Sequence, residues 1–280
     1  KSFTIGMDEK DYNEAVYAKE IANHLGTQHT ELYITEEDAR AVIPKLAGMF
    51  GEPFADSSQI PTYLVSKMTR EYVTVSLSGD GGDELFCGYN SYESVVNLWN
   101  RMKKVPYFVR KSCGEIALHS PLANNRLNQI RAKLLTAKGP SDLYITSFET
   151  DPLTPKISLD NSLCSYKYSE YDPHFLQEAN HKLMLMDMLM YHPDDILVKV
   201  DRAGMAVSLE SRIPMLDKDV VEFAWSLPTE YKYDGRTSKK ILKEVLYRYV
   251  PKEMMDRPKK GFSVPVSLWL KDGKMRDWAE

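Results

Sequence analysis

The chain has 280 residues and a mass of 32.1 kDa, enough to bury a substantial core without disulfide or metal staples. Thirty-six Lys and Arg against forty Asp and Glu leave a formal charge of -4, which argues against the basic footprint of non-specific nucleic-acid binding. Hydrophobic residues make up 43%, yet no apolar run approaches the ~20 residues of a membrane helix, so no nucleic acid and no membrane is expected as a partner.

The cysteines Cys87, Cys113 and Cys164 are odd in number, far apart and without a CxxC pair, which fits a reducing, cytoplasmic setting. The opening Lys1 to Gly6 has neither an initiator Met nor the features of a signal peptide, and reads as a chain cut within a strand.

Ser2 to Gly6 alternates and ends on glycine, predicting a strand. Tyr12, Ala15, Ala18, Ala22 and Leu25 recur at helical spacing before Gly26, a helix stop. Thr30, Leu32 and Ile34 alternate as a second strand. Thr35 then heads Thr-Glu-Glu-Asp as an N-cap for a helix through Phe50, which Pro44 is expected to kink or split. A helix is predicted from Pro61 to Arg70 and a strand from Tyr72 to Leu77. This order predicts a parallel α/β sheet, with ligands beyond the carboxyl ends of the strands and residues 78–92 at the working edge. From about residue 93 helical spacing dominates, most clearly from Leu176 through Tyr191, and the remainder is read as all-helical.

Four stretches could carry chemistry. Ser78-Gly79-Asp80-Gly81-Gly82-Asp83-Glu84 follows the predicted strand; its glycines let backbone N–H groups approach a phosphate, and its carboxylates suit a hard cation. Together they suggest a magnesium nucleotide, although an Asp/Gly-rich loop alone reads equally as a solvated turn. Asp56-Ser57-Ser58, ahead of the Pro61 helix, would suit a carboxylate or phosphate, or serve as ordinary caps. The dense charges from Asp194 to Asp217 suggest an internal ion-pair network, with structural roles for Arg202, Glu210 and Arg212. Arg257 to Ser263 is a basic turn that could bring Lys259 to a triphosphate, or be solvated surface.

Other features are read as structural. The six histidines form no pair at zinc-binding helical spacing, and Met184, Met186, Met188 and Met190 are expected to fill a core. Cys87 beside the acidic loop reads as a small buried filler rather than a nucleophile.

With these stretches in this order, the chain resembles the synthetase (C-terminal) half of glutamine-hydrolysing asparagine synthetases, truncated at both ends. The likeness rests on Ser-Gly-Asp-Gly-Gly-Asp-Glu-Leu-Phe-x-Gly-Tyr, on the block from Val200 to Asp217, and on Arg-Pro-Lys-Lys-Gly-Phe. It implies a partial parallel-sheet PP-loop ATP-pyrophosphatase region, of the adenine nucleotide alpha hydrolase type, over residues 1–92. A mainly helical region carrying the Lys259 loop would follow over 93–280. It also implies ATP and Mg2+ as cofactors, and ATP, aspartate and ammonia from glutamine as substrates. The parent chain would carry an N-terminal glutaminase domain, and homodimer assembly is compatible with the resemblance.

By motif, Ile5, Ser78 and Gly79 would contact the nucleotide, Asp83 would hold magnesium, and Lys259 would neutralise the phosphates. Asp80 stands where some relatives carry Glu to assist ammonia attack, one methylene shorter in reach. Asp56, Ser57 and Ser58 would help select the acid. The family's upstream Ser-Gly-Gly-x-Asp-Ser loop has no counterpart here, so this piece alone is expected to be inactive. Two alternatives stay open: amidation of another carboxylate, such as a sugar acid or β-lactam precursor, and a degenerate non-catalytic binding domain.

Overall fold

The computed structural model describes residues 1–7, 9, 13–121, 126–148, 175–256, 264–272 and 274–280. The chain forms two compact units. The first takes Lys1–Asp80, Pro193–Val220 and Ile241–Glu280; the second takes Gly81–His192 and Val221–Lys240.

In the first unit, β1 (Ser2–Met7) pairs in parallel with β2 (His29–Ile34), Ile5 lying opposite Leu32, and α1 (Ala15–His24) connects them. Ile5, Met7 and Ile34 are buried in a shared core with Ala39, Val42, Ile60, Tyr63 and Ala203. Gly6 is required by close approach: a Cβ there would lie 2.6 Å from the Tyr33 ring and 3.0 Å from Ala15 Cβ.

The Thr35 cap expected of α2 (Glu36–Phe50) forms as a reciprocal box. Asp38 N donates to Thr35 Oγ1 at 3.2 Å, and Thr35 N donates to Asp38 Oδ2 at 2.9 Å. Pro44 does not split the helix, because Ala39 and Val42 before it and Leu46 and Met49 after it pack into the same core. Gly51, at φ 74°, then ends it in the left-handed conformation.

Helix α3 (Gln59–Arg70) starts two residues earlier than the proline suggested, since Ser58 O already accepts from Thr62 N. Only Val75–Leu77 of the expected strand over 72–77 is β-structure (β3). The N–H groups of Tyr72 and Val73 instead donate to Thr69 O and close the end of α3.

Two features depart from the predicted architecture. The described strands make two separate two-stranded parallel ladders rather than one sheet. The partner of β3 is β4 (Glu210–Arg212), a strand within the stretch predicted to be helical; three polar-flanked residues carry no apolar alternation to reveal it.

The second unit is helical among its described residues: α4 (Gly82–Leu85), α5 (Asn90–Met102), α6 (Tyr107–Leu118), α7 (Arg126–Leu135), α8 (Pro140–Phe148) and α9 (Ala179–Leu189). Met184 and Met186 are fully buried beside Tyr92, Leu143 and Leu183, and Met190 joins them, as expected of filler residues. Arg110 is buried too, but its guanidinium donates to the carbonyls of Val105, Leu135 and Ala137 and stacks over Trp99, so its polar groups are satisfied.

Candidate active site

In the first unit the glycine loop leaves β3 directly. Ser78 N donates to Arg212 O at 3.0 Å as the last rung of the β3/β4 ladder, and Ser78 Oγ donates to Asp80 Oδ2 at 2.7 Å. Gly79 is exposed, with open space where a side chain would be. The side chain of Ile5 is buried in the core, so only its backbone is suited to meet a ligand.

Asp56, Ser57 and Ser58 sit at the start of α3. Ser58 N donates to Asp56 Oδ1 at 2.8 Å and Ser58 Oγ to Asp56 Oδ2 at 2.6 Å, a side-chain turn that orders the segment. Lys199 Nζ, from α10 (Val198–Met205), donates to the same Oδ2 at 2.7 Å. Burial alone would push the Asp56 carboxyl up; Lys199 and the two Ser58 donors outweigh it and hold it below its ordinary value. Asp195, on the π-helical turn His192–Leu197 that precedes α10, is pushed up to about 6 by burial and by the charge of Asp56, against the opposing pull of Lys199.

In the second unit, Gly81 at φ 84° starts α4 and Asp83 lies in its first turn. Lys239 Nζ donates to Asp83 Oδ2 at 2.8 Å, and Gly88 N donates to Asp83 O at 2.8 Å. Gly88 forms a cradle: a Cβ there would overlap the Asp83 carboxylate and come 2.8 Å from its Cα. Next to Asp83, the buried Glu84 accepts from Tyr89 OH at 2.6 Å. Cys87 is buried with φ 56°, and burial pushes its thiol up to about 12 against the opposing effect of Lys232, which suits filler and not nucleophile.

Sequence reasoning placed Lys199 in a charge network without singling it out or finding its partner, and missed Lys239. Each pairs with a carboxylate more than 140 residues away, with |i−j| of 143 and 156, so no local pattern could announce it. The internal network expected over Asp194 to Asp217 forms at Lys199, which is buried and paired with Asp56, but not at Arg202, Glu210 and Arg212, whose expected part in it is corrected. Glu210 and Arg212 form an ion pair at 2.6 Å, but their side chains are 50% and 67% exposed, and Arg202 is exposed as well. The residues of β4 on either side of Ser211 face outward, whereas the well-buried charge of that stretch is Lys199. Lys259 and the rest of Arg257–Ser263 lie outside the described residues.

Among the described residues no group of three or more His, Cys, Asp or Glu gathers as metal ligands. Asp83 supplies one hard oxygen donor already paired with a cation. A single carboxylate, with its Oδ2 already paired with Lys239, could hold a divalent cation only with further ligands from phosphate oxygens and water.

Small parallel β-ladders among a majority of helices, with a glycine- and carboxylate-rich turn following β3, define a mostly helical α/β protein. The family pattern described as asparagine synthase matches residues 1–280, and the chain belongs to that family. It is 33% identical over 99% of its length to asparagine synthetase [glutamine-hydrolyzing] 1 of Bacillus subtilis, covering 44% of that protein. It is 30% identical to a putative asparagine synthetase [glutamine-hydrolyzing] of Mycobacterium bovis, covering 43% of it. A putative asparagine synthetase [glutamine-hydrolyzing] 2 of Methanocaldococcus jannaschii is 34% identical over 73% of this chain and 39% of that protein. The chain thus spans less than half the length of these curated relatives.

Proposed function

We propose that this chain is the synthetase part of an ATP-dependent enzyme that makes asparagine from aspartate, using ammonia released from glutamine by an N-terminal glutaminase domain of the same protein. The observation that carries the reading is the Asp83 carboxylate, cradled by Gly88 and paired with Lys239, in the glycine loop of a chain of the asparagine synthase family. The fold class is the PP-loop ATP-pyrophosphatase type, and the compartment is the cytoplasm.

In the first step a side-chain carboxylate oxygen of aspartate attacks the α-phosphorus of ATP. The bond to the β-phosphate bridging oxygen breaks, pyrophosphate leaves, and an aspartyl-adenylate remains. Ile5, Ser78 and Gly79 hold the nucleotide, the last two through backbone free of side-chain obstruction at Gly79. Asp83 would hold Mg2+, which when bound would supply charge neutralisation for the pyrophosphate. Lys259 offsets the charge that develops as the bond breaks. Ammonia then attacks the acyl carbon, AMP departs, and Asp80 takes part in handling the proton that ammonia loses. Asp56, Ser57 and Ser58 shape the acid site. Substitution at phosphorus asks the protein mainly for positioning and electrostatics, which a metal-holding carboxylate and a lysine supply.

The test is AMP release by the full-length protein with ATP, Mg2+ and ammonium, across aspartate and a panel of other carboxylic acids. Release that requires aspartate and equals the asparagine formed is expected. Release with another acid alone, or with none, overturns the reading.

A further inference from the structure

Lys199 is among the few buried charged residues in the described part of the chain, with a relative exposure of 9%, and none of the roles above uses it. Its helix α10 packs against α3, and its ammonium reaches the segment that precedes α3. There the Asp56 carboxylate receives three donors: Lys199 Nζ and Ser58 Oγ on Oδ2, and Ser58 N on Oδ1. Asp56 is thereby occupied within the protein and acts as the centre of a scaffold. Ser57, between the two anchored residues, is half-buried, and its hydroxyl is engaged by no other described residue.

We infer that Lys199 is a positioning residue for the acid substrate, fixing the Asp56–Ser57–Ser58 segment so that Ser57 is held ready for the incoming carboxylic acid. This rests on the acid-site role given to that segment under the proposed function. A buried ion pair is a poor source of stability, because the desolvation of both charges offsets their attraction, and a methionine would fill the same space without it. What the pair supplies is a fixed direction for Asp56, and through it the two Ser58 hydrogen bonds. Asp195 makes the lysine harder to dispense with. Its carboxyl is half-buried against Asp56, with which it hydrogen-bonds, and Lys199 is the cation acting on both carboxyls. Without Lys199, Asp56 would lose its cation and be left to share a proton with Asp195, and the direction that favours the two Ser58 hydrogen bonds would no longer be fixed.

The test uses the full-length protein and steady-state AMP release, with KM for aspartate, KM for ATP and kcat measured for the parent, Lys199→Met, Lys199→Arg and Ser58→Ala. Loss of a hydrogen bond to a charged group predicts a rise of ~10- to 100-fold in the aspartate KM of Lys199→Met, with the ATP KM unchanged. Lys199→Arg, which keeps the charge, is expected to recover part of the aspartate KM. Ser58→Ala, which removes a donor from Asp56 without stranding a charge, is expected to shift it in the same direction by ~3- to 10-fold and remains informative if Lys199→Met does not fold. A folded Lys199→Met with unchanged aspartate KM overturns the inference. So does an equal rise in both KM values, or no effect of Ser58→Ala. Absence of aspartate-dependent AMP release in the parent is a separate result that fells the proposed function and this inference with it.

Discussion

His192 Nδ1 lies 3.4 Å from Glu84 Oε1, with side chains only 2% and 1% exposed. Glu84 sits immediately after Asp83 in sequence and accepts a hydrogen bond from Tyr89 OH at 2.6 Å. Burial by itself pushes the Glu84 carboxyl up, but His192 and Tyr89 outweigh it, so the group lies below its ordinary value. Glu84→Ala strands the buried imidazole and phenol and is expected to cost about 3 kcal/mol or more, read from urea unfolding. A carboxyl lowered on folding binds its proton more weakly in the native state. Its contribution is therefore complete above the unfolded value of about 4.5 and is lost as pH falls through the lower folded value.

Asp187 gives the opposite slope. It accepts from Tyr92 OH at 2.6 Å and Tyr144 OH at 2.9 Å, yet burial, aided by the charge of Glu84, pushes it up to about 6 from 3.8. The native state then holds this proton more tightly than the unfolded chain, so stability falls as pH rises from about 3.8 to about 6, by up to about 3 kcal/mol in total. Asp187→Asn is expected to flatten that part of the curve of unfolding free energy against pH. A slope that survives the substitution would place its origin elsewhere.

Gly88→Ala tests the Asp83 cradle. The new methyl overlaps the carboxylate, so Asp83 must move and its link to Lys239 must stretch. The expected outcome is a loss of roughly 10-fold or more in affinity for the magnesium nucleotide, measured by calorimetry on the full-length protein. Gly79→Ala meets nothing within 4 Å and is expected to leave the unfolding midpoint unchanged.

Capping and exposed pairing should separate cleanly in a stability assay. Thr35→Ala removes half of the box at the start of α2 and is expected to cost about 1 kcal/mol. Arg212→Ala breaks an ion pair of short distance but high exposure, and is expected to change stability by less than about 0.5 kcal/mol.

The elements legible in the sequence were those whose signal is local. Thr35 announced α2 because a cap is a contact between residues three apart, and β1 and β2 showed in short alternations. The glycine loop was legible as composition and as motif, and its placement after β3 follows from the chain order. Tyr72 to Val73 misled because β-branched and aromatic propensity was outweighed by backbone bonds to Thr69. Glu210 to Arg212 misled because a strand of three residues is defined by its neighbour rather than by its own pattern. The charges of Arg202, Glu210 and Arg212 looked internal because they lie among apolar residues, but which way a side chain points depends on the element it is placed on.

The sequence by itself determined the caps, the glycine loop, the order of the early elements and the family motifs, since each is written in residues that are neighbours along the chain. Only the tertiary structure decided that Asp56 is held by Lys199 and Asp83 by Lys239, that Glu84 is buried against His192, and that one compact unit is assembled from three separated stretches. The physical reason is common to the three pairings. A buried charge must find a counter-charge or hydrogen-bond partner, but distance along the chain places no limit on where that partner comes from.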